Sequence, residues 1–143
     1  MNEVNRILEW FKTAKPEPTV EDACVQVGCH YEEVEEMQEA LSNFDYTDVL
    51  STAYKSKHHY VLERIENLKE EKKIELLDSL CDQIVTAIGV GYMLNMDIAG
   101  ALDEVIASNH SKFIDGKAVF NEQGKIAKGK NYFEPKLGKF INE

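Results

Sequence analysis

The chain has 143 residues, of which 43% are hydrophobic and 29% charged, a globular mixture of a size that forms one domain with one active centre. Its formal net charge of −10 argues against nucleic-acid binding, which sets clustered Lys and Arg against phosphate. No apolar stretch is long enough to span a bilayer, and MNEVNRILEW lacks the basic-then-apolar order of a signal peptide. The expectation is a soluble, cytoplasmic protein.

Residues 2–13 form a first helix, with Val4, Ile7, Leu8 and Phe11 at helical spacing and Pro16 and Pro18 closing it. Thr19 caps the next helix, with Asp22 in the partner position of a capping box. That helix spans 20–43 and places Ala23, Val27, Val34, Met37, Leu41 and Phe44 along its apolar side. Helical spacing continues over 45–68 through Val49, Leu50, Ala53, Tyr54, Val61, Leu62 and Ile65, with an interruption near Ser56.

The charged KEEKK segment after Leu68 reads as a corner, and a helix over 72–95 follows. Ile74, Leu77, Leu80, Cys81, Ile84, Val85 and Ile88 give it a broad apolar face. Asp97 caps a last helix over 98–109, after which periodicity is lost. AVFNEQGKIA reads as a small hairpin around 122–124. The fold class is therefore all-α: a helical bundle over 1–110 with an extended C-terminal arm over 111–143.

Cys24, Cys29 and Cys81 are odd in number and sit in apolar helical patterns, which points to reduced, buried thiols rather than disulfides. Cys24, Cys29 and His30 lack the paired spacing of a zinc site. His58 and His59 fall on different sides of their helix and read as surface residues. Trp10, Phe11, Tyr31, Tyr54 and Tyr60 are core aromatics before they are base-stacking candidates.

The acids are patterned. In HYEEVEEMQEAL, Glu33 and Glu36 lie one turn apart beside the apolar stripe, and Glu32 neighbours Glu36. In IELLDSLCDQIV, Glu75, Asp78 and Asp82 share one narrow strip, also beside an apolar face. Like charges at that spacing repel unless a cation neutralises them, and Mg²⁺ or Mn²⁺ prefers carboxylate oxygens while leaving coordination positions open for phosphate and water. The plain alternative is two solvated acidic surfaces. Lysines recur through the arm at 112, 117, 125, 128, 130, 136 and 139, where an anionic ligand bridging to an acid-bound cation would need them.

With EEVEE and ELLDSLCD on two helices, followed by SNHSKF, DGK and NEQGKIAKGKNY, the chain resembles the MazG-like all-α nucleoside triphosphate pyrophosphohydrolases over about residues 20–135. The similarity is to the branch, found in phages and bacteria, related to phosphoribosyl-ATP pyrophosphohydrolase. The tail motif is its more specific part.

The resemblance implies Mg²⁺-dependent hydrolysis of a nucleoside triphosphate between the α and β phosphates. Metal ligands would come from Glu33, Glu36, Asp82, Asp78 and Glu75, with Glu32 or Glu33 as general base. Substrate contacts would come from Asn109, Lys112, Lys125, Lys128, Lys130, Asn131 and Tyr132. It also implies a homodimer or homotetramer. Ser79 stands where the second motif has a glutamate, which leaves open whether Glu75 or Asp78 replaces it. That departure keeps a non-catalytic binding module of the same fold as an alternative, and phosphoribosyl-ATP hydrolysis is another.

Overall fold

A computed structural model describes residues 2–43, 46–122 and 125–141. Its regular structure is helical: α1 (Glu3–Ala14), α2 (Val20–Ala40), α3 (Thr47–Lys55), α4 (His59–Glu66), α5 (Glu70–Met93) and α6 (Ile98–His110), with a 3₁₀ turn at Gly138–Phe140. No strand forms among the described residues. No helix among them is long and apolar enough to cross a membrane.

The expected cap of α2 is present in full. Thr19 Oγ1 accepts from the Asp22 amide at 3.2 Å, and the Asp22 carboxylate accepts from the Thr19 amide at 2.9 Å. The Thr19 amide first, then Lys15 through an ion pair at 3.0 Å, holds that carboxyl below its ordinary range.

Two helices dominate the architecture. α2 and α5 pack along most of their lengths. They run antiparallel, since His30 meets Thr86 whereas Glu33, further along α2, meets Ser79. α1 lies parallel to α5, with Phe11 against Gly89 and Tyr92 Oη donating to the Lys15 carbonyl at 2.6 Å. Phe11, Ala23 and Met93 form the buried cluster, flanked by Ile7, Val85 and Tyr92.

Two boundaries differ from expectation, and a third break falls where it was expected. α2 stops at Ala40 rather than continuing to 43. Ser42 turns to φ 56°, and Asn43 leaves the helix to become a buried polar hub. Its amide donates to Tyr54 Oη at 2.7 Å, and its carbonyl accepts from Arg64 at 2.7 Å. Phe44, expected on the apolar side of this helix, lies outside the described residues. The 45–68 segment breaks into α3 and α4 at Ser56, as its interrupted spacing indicated, with Lys57 at φ 56°. α5 begins at Glu70, so the corner is Leu68–Lys69 and the following acids sit in the helix's first turn, where its dipole favours them.

The arm folds back antiparallel along α6. Ser108 Oγ donates to the Phe133 carbonyl at 2.7 Å, Glu104 accepts from the Lys136 amide at 3.1 Å, and the Asp97 amide donates to the Phe140 carbonyl at 2.7 Å. Its tightest turn is Asp115–Gly116, both with φ above 50°, closed by reciprocal 2.9 Å bonds between Ile114 and Lys117. An Asp-Gly pair supplies the backbone freedom that a two-residue turn of this hand needs. Where the small hairpin was expected there is one antiparallel bridge, Phe120 to Ile126. The 123–124 part of that turn lies outside the described residues.

The thiols depart from expectation. All three cysteines are free, but Cys24 and Cys81 are exposed and Cys29 is half-buried, because no element among the described residues covers the helix faces that carry Cys24 and Cys81.

Two glycines make the packing testable. A Cβ at Gly89 would stand 2.4 Å from the Phe11 ring and 2.7 Å from Gln26, whereas one at Gly28 meets nothing within 4 Å. Gly89→Ala is expected to cost about 1–3 kcal/mol of stability. Gly28→Ala, mid-helix in open space, is expected to add roughly 0.5–1 kcal/mol. Urea unfolding of both variants checks the opposite signs.

Candidate metal centre

The site is built by the α2–α5 seam. On α2 the core-facing line passes through Ala23, His30, Met37 and Ala40, and Glu33 falls between them at the seam's edge. Opposite it, α5 presents Ser79, which is 2% exposed and donates its hydroxyl to the Glu33 backbone carbonyl at 2.7 Å. A serine hydroxyl reaching a carbonyl within the partner helix requires close approach of the two backbones. Ser79 thus belongs to the packing seam, and its neighbours on α5 set which carboxylates face α2.

Three acids converge there. Glu33, Glu36 and Asp82 each offer a carboxylate oxygen within 4.8 Å of the others, Glu33 and Asp82 half-buried and Glu36 exposed. Glu33 Oε2 is closed off from solvent and has no hydrogen-bond partner. An unpartnered carboxylate oxygen is costly in a buried place. Burial first, then the hydrogen bond to Glu36 and the charges of Glu36, Asp82 and Glu32, push the Glu33 pKa up to about 7. The donor set is all carboxylate oxygen, one atom is orphaned, and the cluster opens toward solvent at Glu36. These features suit a hard divalent cation that retains water or phosphate ligands.

The remaining expected acids lie apart from this group. Glu75 is exposed and ion-paired to Lys72 at 3.0 Å. Asp78 is exposed and does not join the three-acid group, and Glu32 is exposed at its edge. The seam also holds a polar pair, of which the sequence reading weighed only His30, as a zinc ligand. His30 Nδ1 lies 2.7 Å from Thr86 Oγ1, whose hydroxyl is 3.3 Å from the Gln83 carbonyl. With that hydroxyl donating to Gln83, the ring presents Nδ1–H to it. The legible signal was polar residues at core-facing positions, namely His30, Ser79 and Thr86.

The tail residues divide. Asn109 and Lys112 line one cleft of about 410 Å³ with Ile106, His110, Phe113 and Ile126. Lys112 is half-buried there, and its carbonyl accepts from the Gly129 amide at 3.0 Å, which ties the GKNY segment to the end of α6. Lys128 sits over the Tyr132 ring at 4.9 Å. Lys125, Lys130 and Asn131 are exposed on the arm. None of the three clustered acids lines that cleft. His58 and His59 are exposed at the start of α4, their rings 4.5 Å apart.

Comparison with protein-family models, with curated proteins and with solved structures gave no match.

The raised Glu33 pKa has a definite sign for stability. A carboxyl that ionises at about 7 when folded and near 4.5 when unfolded keeps its proton longer in the folded chain. Its contribution therefore turns against folding as pH rises through that window, and the cost is complete above about 7. In metal-free buffer, the fall in thermal midpoint between about pH 5 and about pH 8 should be shallower in Glu33→Gln than in the parent chain. Equal slopes would contradict this account of the cluster.

Proposed function

We propose that this chain is a Mg²⁺-dependent nucleoside triphosphate pyrophosphohydrolase, cleaving between the α and β phosphates to yield the monophosphate and pyrophosphate. The observation that carries the reading is the convergence of Glu33, Glu36 and Asp82, of which Glu33 has one solvent-shielded, unpartnered carboxylate oxygen. The resemblance in sequence supplies the reaction.

In this reading Glu33, Glu36 and Asp82 hold Mg²⁺ or Mn²⁺. The bound ion supplies positive charge to neutralise phosphate oxygens and to acidify water. A cation beside Glu33 returns that carboxyl to its ionised form. Glu32, exposed but close enough for its charge to act on Glu33, then remains to take the proton of the attacking water. Asp78 and Glu75, on the same strip of α5, serve as outer acids. Oxygen bonds to the α phosphorus, the bridging bond to the β phosphate breaks, and pyrophosphate leaves. Asn109 and Lys112, sharing one cleft, are suited to phosphate or sugar oxygens. Lys125, Lys128, Lys130, Asn131 and Tyr132 are proposed as further substrate contacts on the arm. The working assembly is proposed to be a homodimer or homotetramer.

A second reading, a non-catalytic helical binding module, draws on Ser79, whose hydroxyl is spent on the Glu33 carbonyl where a fourth carboxylate would stand. Pyrophosphate release from deoxynucleoside triphosphates with Mg²⁺ separates the two. Running phosphoribosyl-ATP beside dUTP and dCTP decides the substrate class, and turnover of phosphoribosyl-ATP alone would move the reading to histidine synthesis. Glu36→Ala or Asp82→Ala is expected to lower kcat by on the order of 10²–10³. Helicity should be kept and the metal-free thermal midpoint unchanged or raised, because a crowded like charge is gone. Unfolding of either variant would mark that acid as structural instead.

A further inference from the structure

Trp10, grouped with the core aromatics on spacing, is 61% exposed in the structure. It lies on α1 with Glu3, Arg6 and Ile7 at steps of three and four residues, so these four share one stripe of the helix. Together with Val85 of α5 they line a groove of about 470 Å³, within the size range of small-molecule sites. Ile7, Trp10 and Val85 make it apolar, and Glu3 and Arg6 add one acceptor and one donor group. Neither Glu3 nor Arg6 is in an ion pair among the described residues. Phe11, 3% exposed, packs edge-to-face with the indole at 4.9 Å and 81°, which steadies the ring while most of it stays open to solvent.

The groove and the acid cluster lie on the same side of the α2–α5 seam. Phe11 of α1 and Gln26 of α2 both crowd Gly89 of α5, so the three helices meet there. Gln26 precedes Glu33 by seven residues on α2, and Gly89 follows Asp82 by seven on α5. A step of seven returns to within about 20° of the same helix face. The line on which α1 rests therefore continues to Glu33 and Asp82. Val85 lies between, one turn and about 4.5 Å of helix rise from Asp82. With α1 parallel to α5 and Phe11 at Gly89, Trp10 stands near the level of residue 88, about 9 Å along the axis from Asp82. That spacing suits a nucleotide, whose planar base is joined to its phosphates through one sugar ring. Tyr31 is 71% exposed but falls about 160° round α2 from Glu33. Tyr54 and Tyr60 are engaged with Asn43 and Arg64.

We propose that the α1–α5 groove receives the base of the nucleotide, stacked on Trp10, while its phosphates reach the cation at Glu33, Glu36 and Asp82. The phosphate end rests on the pyrophosphohydrolase reading, and the base end rests on the groove itself. A base has apolar faces and a polar edge, and the groove offers an indole face with Ile7 and Val85 beside it and a polar pair at its rim. Arg6 donates to ring or carbonyl acceptors, and Glu3 accepts from amino or imino groups. Stacking accepts every base, so choice among bases falls to Arg6 and Glu3.

Trp10 is the chain's only tryptophan, so its fluorescence reads the groove directly. Non-hydrolysable α,β-imido analogues of the four deoxynucleoside triphosphates, each with Mg²⁺, should quench it saturably for at least one base, and inorganic tripolyphosphate with Mg²⁺ should not. By calorimetry, Trp10→Ala should weaken binding of the quenching analogue on the order of ten- to a hundred-fold, with Trp10→Phe close to the parent chain. Both variants should bind tripolyphosphate as the parent does, which a general loss of packing would not preserve. Quenching by tripolyphosphate, unchanged emission with all four analogues, an emission change that follows protein concentration instead of nucleotide, or equal loss of affinity for analogue and tripolyphosphate in Trp10→Ala would each overturn the groove. Pyrophosphate release from triphosphates would in those cases still uphold the reaction. Quenching without release upholds the groove and removes the reaction.

Discussion

The antiparallel contact of α2 with α5 is the constraint on which the rest depends. Its register is marked by a buried hydroxyl reaching a backbone carbonyl, Ser79 to Glu33, and by His30 against Thr86. Directional polar contacts of this kind define a register in a way that apolar side chains, which pack acceptably at neighbouring positions, do less sharply. Once the register is set, Asp82 stands opposite Glu33 and Glu36 and cannot be exchanged for Asp78 or Glu75 without sliding or rotating α5. The acid cluster is a consequence of how the seam is pinned.

The same seam carries an energetic conflict. Three carboxylates are gathered at the edge of a helix pair in a chain that already bears a charge of −10. Burial and mutual repulsion make the neutral form of Glu33 unusually favourable. Such an arrangement weakens the bare fold, and clusters of this kind persist where something else draws on them. That conflict, rather than the count of acids, is what sets this site apart from an exposed acid such as Glu75.

Few apolar side chains are buried: Phe11, Ala23, Ala40, Leu50, Val61, Ile88 and Met93 among the described residues. Small cores are commonly helped by other ties, and here the ties are polar. Asn43 joins Tyr54 and Arg64 across the α2–α3 turn and α4, and Arg64 lies over the Tyr60 ring at 5.2 Å. The arm is laced to α6 through Ser108 and Glu104. Apolar area on α5 and beside α1 remains in solvent, so the packing of one chain by itself leaves hydrophobic stabilisation unused.

The sequence by itself determined the helices and the ends that local chemistry controls. The Thr19 and Asp97 caps, the proline stop after α1 and the helical periodicity of α5 all act through neighbours a few residues away, so spacing alone exposes them. The acids Glu33, Glu36 and Asp82 were legible as residues beside apolar stripes. Periodicity states which face a residue shares but not what covers that face, and tertiary structure decided the rest. It ended α2 at Ala40 because Asn43 had partners on α3 and α4. It exposed Cys81 and Leu77 because α2 took the other side of α5. It selected Asp82 over Asp78 because a buried serine, which reads in the sequence as a missing glutamate, brought one turn of α5 rather than another against Glu33.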